Sequence, residues 1–195
     1  MLNKIFLFLV LVCFTANAQL ITLSGNYTSG GNIVQNPSFE IYTDGSPNDA
    51  FTGWTFTGSV PTLQASVDSV TDGTVCARFV AGSSGSAYIT QNITVEPNTL
   101  YYASVDAVVS ASTGGFRIYD NTNSADIYYL WNMLNNTSAM KTHSVVFKTA
   151  SNTTSIYIRV GIVAPATTTQ YYDNVKLQKL TQATVSNKKS GWLGF

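Results

Sequence analysis

Charge is scarce in this chain. Asp, Glu, Lys and Arg make up 10% of its 195 residues, split evenly between ten acidic and ten basic side chains. Without a basic excess it lacks the electrostatic footprint that nucleic acid requires, and nothing draws it to an anionic membrane. Glutamate occurs twice, at Glu40 and Glu96, whereas helices of soluble proteins draw heavily on Glu, Lys, Leu and Ala. No window beyond residue 18 sustains a 3.6-residue apolar period, so helices are not expected. Histidine occurs once, as His143, and no nucleophile elbow, zinc-ligand spacing or phosphate-cradling glycine motif accompanies it. His143 is read as structural or solvent-exposed. The acidic residues fall almost entirely in turn-like segments, so no facing carboxylate pair for glycoside hydrolysis stands out. The expectation is a protein that is not an enzyme.

Long apolar runs are also missing. Residues 5–14 form a run of about ten, short of the roughly 20 that cross a bilayer. With Lys4 before it and Ala16-Asn17-Ala18 after it, the run reads as the core of a signal peptide spanning 1–18. The expectation is a secreted or cell-surface protein with no transmembrane segment. The remaining stretch fits one domain with a core of its own. Cys13 leaves with the signal, and Cys76 then stands alone, with no disulfide partner in the chain. In the apolar run TVCARFV it reads as a buried, inert thiol, with intermolecular pairing as the alternative.

Thr, Ser, Val, Tyr and Ile dominate instead, and these are strand formers. Residues 87–95 (AYITQNITV) alternate strictly, with Ala87, Ile89, Gln91, Ile93 and Val95 on one side. In 99–109, Tyr101, Ala103, Val105 and Ala107 face one way and Tyr102, Ser104, Asp106 and Val108 the other. Further strands are expected at 33–34, 39–41, 53–57, 62–66, 75–80, 116–119, 127–131, 143–149, 155–162 and 170–180. Turn-rich loops separate them, notably 42–50 (YTDGSPNDA), 67–73 and 132–137. The count and spacing predict an all-β fold, a β-sandwich of two antiparallel sheets, over residues 32–180. Residues 19–31 read as a flexible leader and 181–195 as a C-terminal tail ending in Trp192-Leu193-Gly194-Phe195. The tail is a candidate docking peptide for a protein partner, or a segment that folds back on the domain.

Two distant stretches read as organising the chain: 32–54, which runs from NIVQNPSFE to Trp54, and 171–177, YYDNVKL. Side by side they would bring Glu40 and Asp173 to one site near both chain ends.

The sequential order of NIVQNPSFE, Gly53-Trp54, TVCARFV, AYITQNITVEPNTLYYASVDA and YYDNVKL resembles the jelly-roll carbohydrate-binding modules of the family 4/9/22 type. These belong to the galactose-binding-domain-like superfamily, and the likeness spans about 32–180. The resemblance implies a jelly roll and a polysaccharide or glycan partner. It also implies a structural calcium with Glu40 and Asp173 as ligands, joined by Asp68 and Asp72 from the 67–73 loop; oxygen donors suit that ion. The alternative for Glu40 and Asp173 is to cap turns by accepting backbone hydrogen bonds. The resemblance places Trp54 in the core. For the ligand surface it directs attention to outward aromatics and planar polar groups: Tyr119, Tyr129 or its neighbour Tyr128, and Trp131, with Arg78, Arg117, Asp106 and Asn132. Tyr128 and Tyr129 point to opposite faces, so one alone can serve. Trp131 reads equally as a ligand platform or as an edge seal.

Two functions follow from this reading. The first is a secreted, non-catalytic carbohydrate-binding module. The second is a structural or adhesive surface or virion protein using the same sandwich for assembly. A small polysaccharide lyase on a jelly roll would need a Tyr/His or Tyr/Arg pair, and His143 is the one histidine it could use.

Overall fold

The computed structural model describes residues 19–20, 23, 26–58, 62–81, 85–109, 114–130, 136–164 and 168–182. Residues 1–18, read above as a signal peptide, together with Trp131, Asn132 and the stretch beyond residue 182, lie outside them. The described strands are β1 (Gln19–Leu20), β2 (Tyr27–Asn32), β3 (Tyr42–Thr43), β4 (Ala50–Phe51), β5 (Thr55–Gly58), β6 (Thr62–Ser66) and β7 (Cys76–Ala81). They continue as β8 (Gly85–Thr94), β9 (Leu100–Val109), β10 (Gly114–Asp120), β11 (Ala125–Leu130), β12 (Asn136–Lys148), β13 (Ser155–Ala164) and β14 (Thr168–Gln182).

Seven strands form one antiparallel sheet in the order β1-β12-β9-β14-β7-β6, with β2 also paired to β14. A second sheet runs β11-β10-β13-β8-β5, and β3-β4 is a small separate hairpin. The two large sheets make the expected β-sandwich. Period-two alternation explains why they stack: each strand turns one apolar face inward. Ala103, Val105, Ala107, Phe79, Tyr172, Leu177 and Phe147 come from the larger sheet, and Ile89, Phe116, Ile118, Ile156, Ile158 and Val160 from the smaller. Each fully buried Phe or Ile stabilises the fold by about 1.5–3 kcal/mol.

The N-terminal stretch and the closing strand do lie together. Ile33 N donates to Leu177 O at 3.0 Å and Val175 N to Pro37 O at 2.9 Å. The Asn32 side chain bridges them, donating to Val175 O and accepting from Leu177 N, both at 2.9 Å. Trp54 is buried against Phe39 and donates its indole N–H to Asn36 O at 3.1 Å.

Local differences from the sequence reading have physical causes. Residues 27–32, expected in a flexible leader, pair with β14, which continues past β7 and leaves that stretch of its edge free to take a strand. Residues 33–41 are bends and turns, because Asn36 and Phe39 adopt positive φ and the Asn36 amide ties the chain to Ile41 and Thr52. The 42–50 loop contains the β3-β4 hairpin with a cis Ser46-Pro47 bond. The loop expected at 132–137 gives way to β12 at Asn136, which pairs with Val109 of β9.

Candidate functional site

Alternation that sends the isoleucines of β8, β10 and β13 into the core sends a different set of side chains out. Three cross-strand rows result on the outer face of the five-stranded sheet. Gly115, Gly161, Tyr88 and Thr57 form the first; Tyr129, Arg117, Arg159, Thr90 and Thr55 form the second; Asp126, Tyr119, Tyr157 and Asn92 form the third.

The rows lock together through ring contacts. Tyr119 and Tyr157 stack with centroids 4.9 Å apart and planes at 16°. The Arg117 guanidinium lies 4.7 Å from the Tyr119 centroid and 5.1 Å from that of Tyr129. Arg159 lies 4.2 Å from Tyr88 and 4.9 Å from Tyr157. Such cation–π contacts fix the guanidinium planes. Asp126 accepts from Arg117 Nε and Nη2 at 2.5 and 3.1 Å, and this hydrogen bonding raises the Arg117 pKa further. Burial raises the phenol pKa of both Tyr129 and Tyr157, so both rings are neutral at physiological pH.

Where Gly115 faces Gly161 no side chain rises from the sheet, and a shallow open depression lies there. Tyr88, Arg117, Tyr129 and Arg159 surround it. A Cβ on Gly161 would meet Ala87 O at 2.3 Å, so the floor must stay bare. Tyr129 stands at the rim, 48% exposed. The whole arrangement offers flat rings, planar donors and a flat floor.

Of the sequence-derived ligand candidates, Arg117, Tyr119 and Tyr129 meet here. Tyr128 points inward and packs edge-on against Phe116, as the opposite-face argument requires. Arg78 and Asp106 do not join them, because β7 and β9 belong to the other sheet. Asp106 is buried there, accepting from Thr142 Oγ1, Thr71 Oγ1 and Asn174 Nδ2 at 2.5, 2.9 and 2.9 Å. Tyr88, Tyr157 and Arg159 were missed, although alternation through AYITQ and SIYIRV carries the signal: inward isoleucines leave exactly these positions outward. His143 sits on β12 opposite Val105, its pKa lowered mainly by burial.

Glu40 and Asp173 close a different structure. Glu40 Oε1 accepts from Thr74 N at 2.8 Å and Val75 N at 2.9 Å, and Oε2 from Thr74 Oγ1 at 2.6 Å. Asp173 Oδ2 accepts from Thr71 N and Asp72 N at 2.7 and 2.9 Å. Both carboxylates thereby clasp the loop expected to share calcium with them. Burial raises the Asp173 pKa more than these amides lower it; at exposed Glu40 burial also pushes upward, but the Thr74 and Val75 donors win. Asp72 accepts from Ser38 Oγ at 2.6 Å, and Asp68 is within 3.4 Å of Ser66 Oγ. Among the described residues no group of three or more His, Cys, Asp or Glu side chains is arranged to hold a metal ion. In this arrangement Glu40 and Asp173 accept hydrogen bonds from backbone amides of residues 71–75. Cys76 is buried beneath the same loop, its thiol pushed up to about 12 by burial and by the neighbouring Asp173 and Asp68.

A β-sandwich presenting tyrosines, arginines and a bare floor on one sheet face has the form of a ligand-binding module. The chain belongs to the carbohydrate-binding domain family, whose pattern matches residues 31–168. No curated protein matches it. Among solved structures, the carbohydrate-binding module TmCBM61 in complex with β-1,4-galactotriose aligns with a TM-score of 0.57 and 16% identity, over 79% of this chain and 100% of that one. Family 16 Carbohydrate Binding Module-2 aligns with 0.54 and 18%, over 75% and 99%. The enzymatically active domain of bacteriophage CBA120 tailspike protein 4 aligns with 0.61 and 17%, over 76% of this chain but 21% of that one. At these identities the likeness establishes the fold.

Proposed function

We propose that this protein is a secreted, non-catalytic carbohydrate-binding module that holds a glycan against the outer face of the five-stranded sheet. The observation behind this reading is the ring-and-guanidinium frame around the Gly115–Gly161 floor. Sugar rings present C–H faces that stack on tyrosines and hydroxyl pairs that accept from planar donors. Family membership supports a glycan over an assembly role. The non-catalytic part rests on Asp126, the carboxylate of this face, being committed to Arg117. Export rests on reading 1–18 as a signal peptide, which amino-terminal sequencing of the exported protein checks by a start at Gln19.

The functional test is binding of the purified protein to a broad glycan array, β-1,4-galactan included, with Tyr129→Ala and Tyr88→Ala beside the wild type. The expected result is saturable binding to one glycan class, weakened about tenfold in each variant with the melting temperature retained. A folded protein that binds no glycan, or variants that bind as wild type does, overturns the proposal and returns the structural or adhesive reading.

A further inference from the structure

Arg117 and Arg159 are direct cross-strand partners, and with Arg78 they are the chain's complement of arginine. Like charges set opposite each other on paired strands repel. Arg117 is offset by Asp126, which grips it with two hydrogen bonds. Arg159 has no such offset. Among the described residues the ion pairs are Arg117–Asp126 and Lys179–Glu96, and neither includes it. Its Nε is buried without a hydrogen-bond partner. Its plane is held between Tyr88 and Tyr157, so little side-chain freedom remains to be lost on binding.

A neutral sugar can accept hydrogen bonds from this pair but leaves two facing guanidiniums sharing one carboxylate. A ligand carboxylate does more: it matches the planar fork in two parallel bonds and cancels the second charge. The bare Gly115–Gly161 floor beside the fork gives room for the ring that carries it, and Tyr129 at the rim meets the neighbouring sugar.

We infer that the ligand is an acidic glycan, a polysaccharide with ring carboxylates, one of which pairs with Arg159. This rests on the reading of the face as glycan-binding and names the chemical class it selects. The test is calorimetry of the purified protein against polygalacturonate, alginate and glucuronoxylan, each beside its carboxyl-reduced counterpart, with dextran sulfate as a purely charged polymer. The expected result is that at least one acidic polymer binds and its reduced form binds about tenfold or more weakly. Arg159→Gln brings the acidic polymer down to the level of the reduced one. Arg159→Lys, which keeps the charge but loses the fork, falls between, and thermal melts confirm that both variants fold. Equal binding of acidic and reduced forms, or binding of neutral glycans alone, overturns the inference and leaves glycan binding standing. Affinity that follows charge density, with dextran sulfate tightest, overturns the carboxylate assignment. Failure of every charged and neutral polymer overturns both readings.

Discussion

The two outer faces of this sandwich treat their polar groups in opposite ways. On the seven-stranded sheet, Asp106 and Asp173 stand opposite each other in register, and the 71–75 loop closes over them. Their oxygens take N–H and O–H donors from Thr71, Asp72, Thr142 and Asn174, and Glu40 finishes the clasp from outside. Gly73 makes that closure feasible: its φ is +84°, and a Cβ would lie 2.3 Å from Glu40 Oε1. On the five-stranded sheet the polar groups are arginines held on rings, and Arg159 has no ion-pair partner among the described residues and a buried Nε without a hydrogen bond. A saturated acidic cluster stabilises the fold, whereas an ordered but unsatisfied basic one is suited to recognition. Mutations on the first face should therefore alter stability, and mutations on the second should alter binding.

The largest test of that division is Asp173→Ala. It strands the Thr71 and Asp72 amides beneath the loop and is expected to cost about 3 kcal/mol in urea denaturation while glycan affinity at a stabilising temperature stays as in wild type. Tyr129→Ala is the mirror case, losing affinity without loss of stability; a fall in its melting temperature comparable to that of Asp173→Ala would break the comparison. Glu40→Gln is smaller, about 1 kcal/mol at neutral pH, because Glu40 is exposed and its gain comes from a few hydrogen bonds. Its folded pKa lies below the ordinary 4.5, so its contribution is full above that value and is lost as pH falls through the lower folded value. Asp173 carries the opposite sign, since its folded pKa lies above 3.8: stability from its protonated form is present below that value and lost as pH rises through the folded one. Carboxyl titration by NMR reads both directions. The smallest expected effect is that of a chelator. With the carboxylates serving as amide acceptors, the melting temperature should move by less than about 1 °C, whereas a bound ion would couple to stability by mass action.

Much of the architecture could be read from alternation. The strands 87–95 and 99–109 face as their pattern says, Tyr128 and Tyr129 part to opposite sides, and Trp54 enters the core. Alternation also contained Tyr88, Tyr157 and Arg159, since an inward Ile-x-Ile pattern assigns its intervening residues outward. The segments that misread were those where side chains compete with the ladder. Asn32 hydrogen-bonds the backbone of distant β14 and Asn36 that of Ile41 and Thr52, bending 33–41 out of β geometry. Pairing of 27–32 depends on an edge supplied about 150 residues later.

The local pattern was enough to determine an all-β sandwich and which residues of strands such as 87–95 and 99–109 turn inward, because period two is a local property. Tertiary structure alone decided which outward residues share a face. Strand order across a sheet is not written in any one strand, and it separated Arg78 and Asp106 from Arg117, Tyr119 and Tyr129. It also brought Glu40 and Asp173 to the loop whose backbone N–H groups they accept from, a contact between segments far apart in the chain.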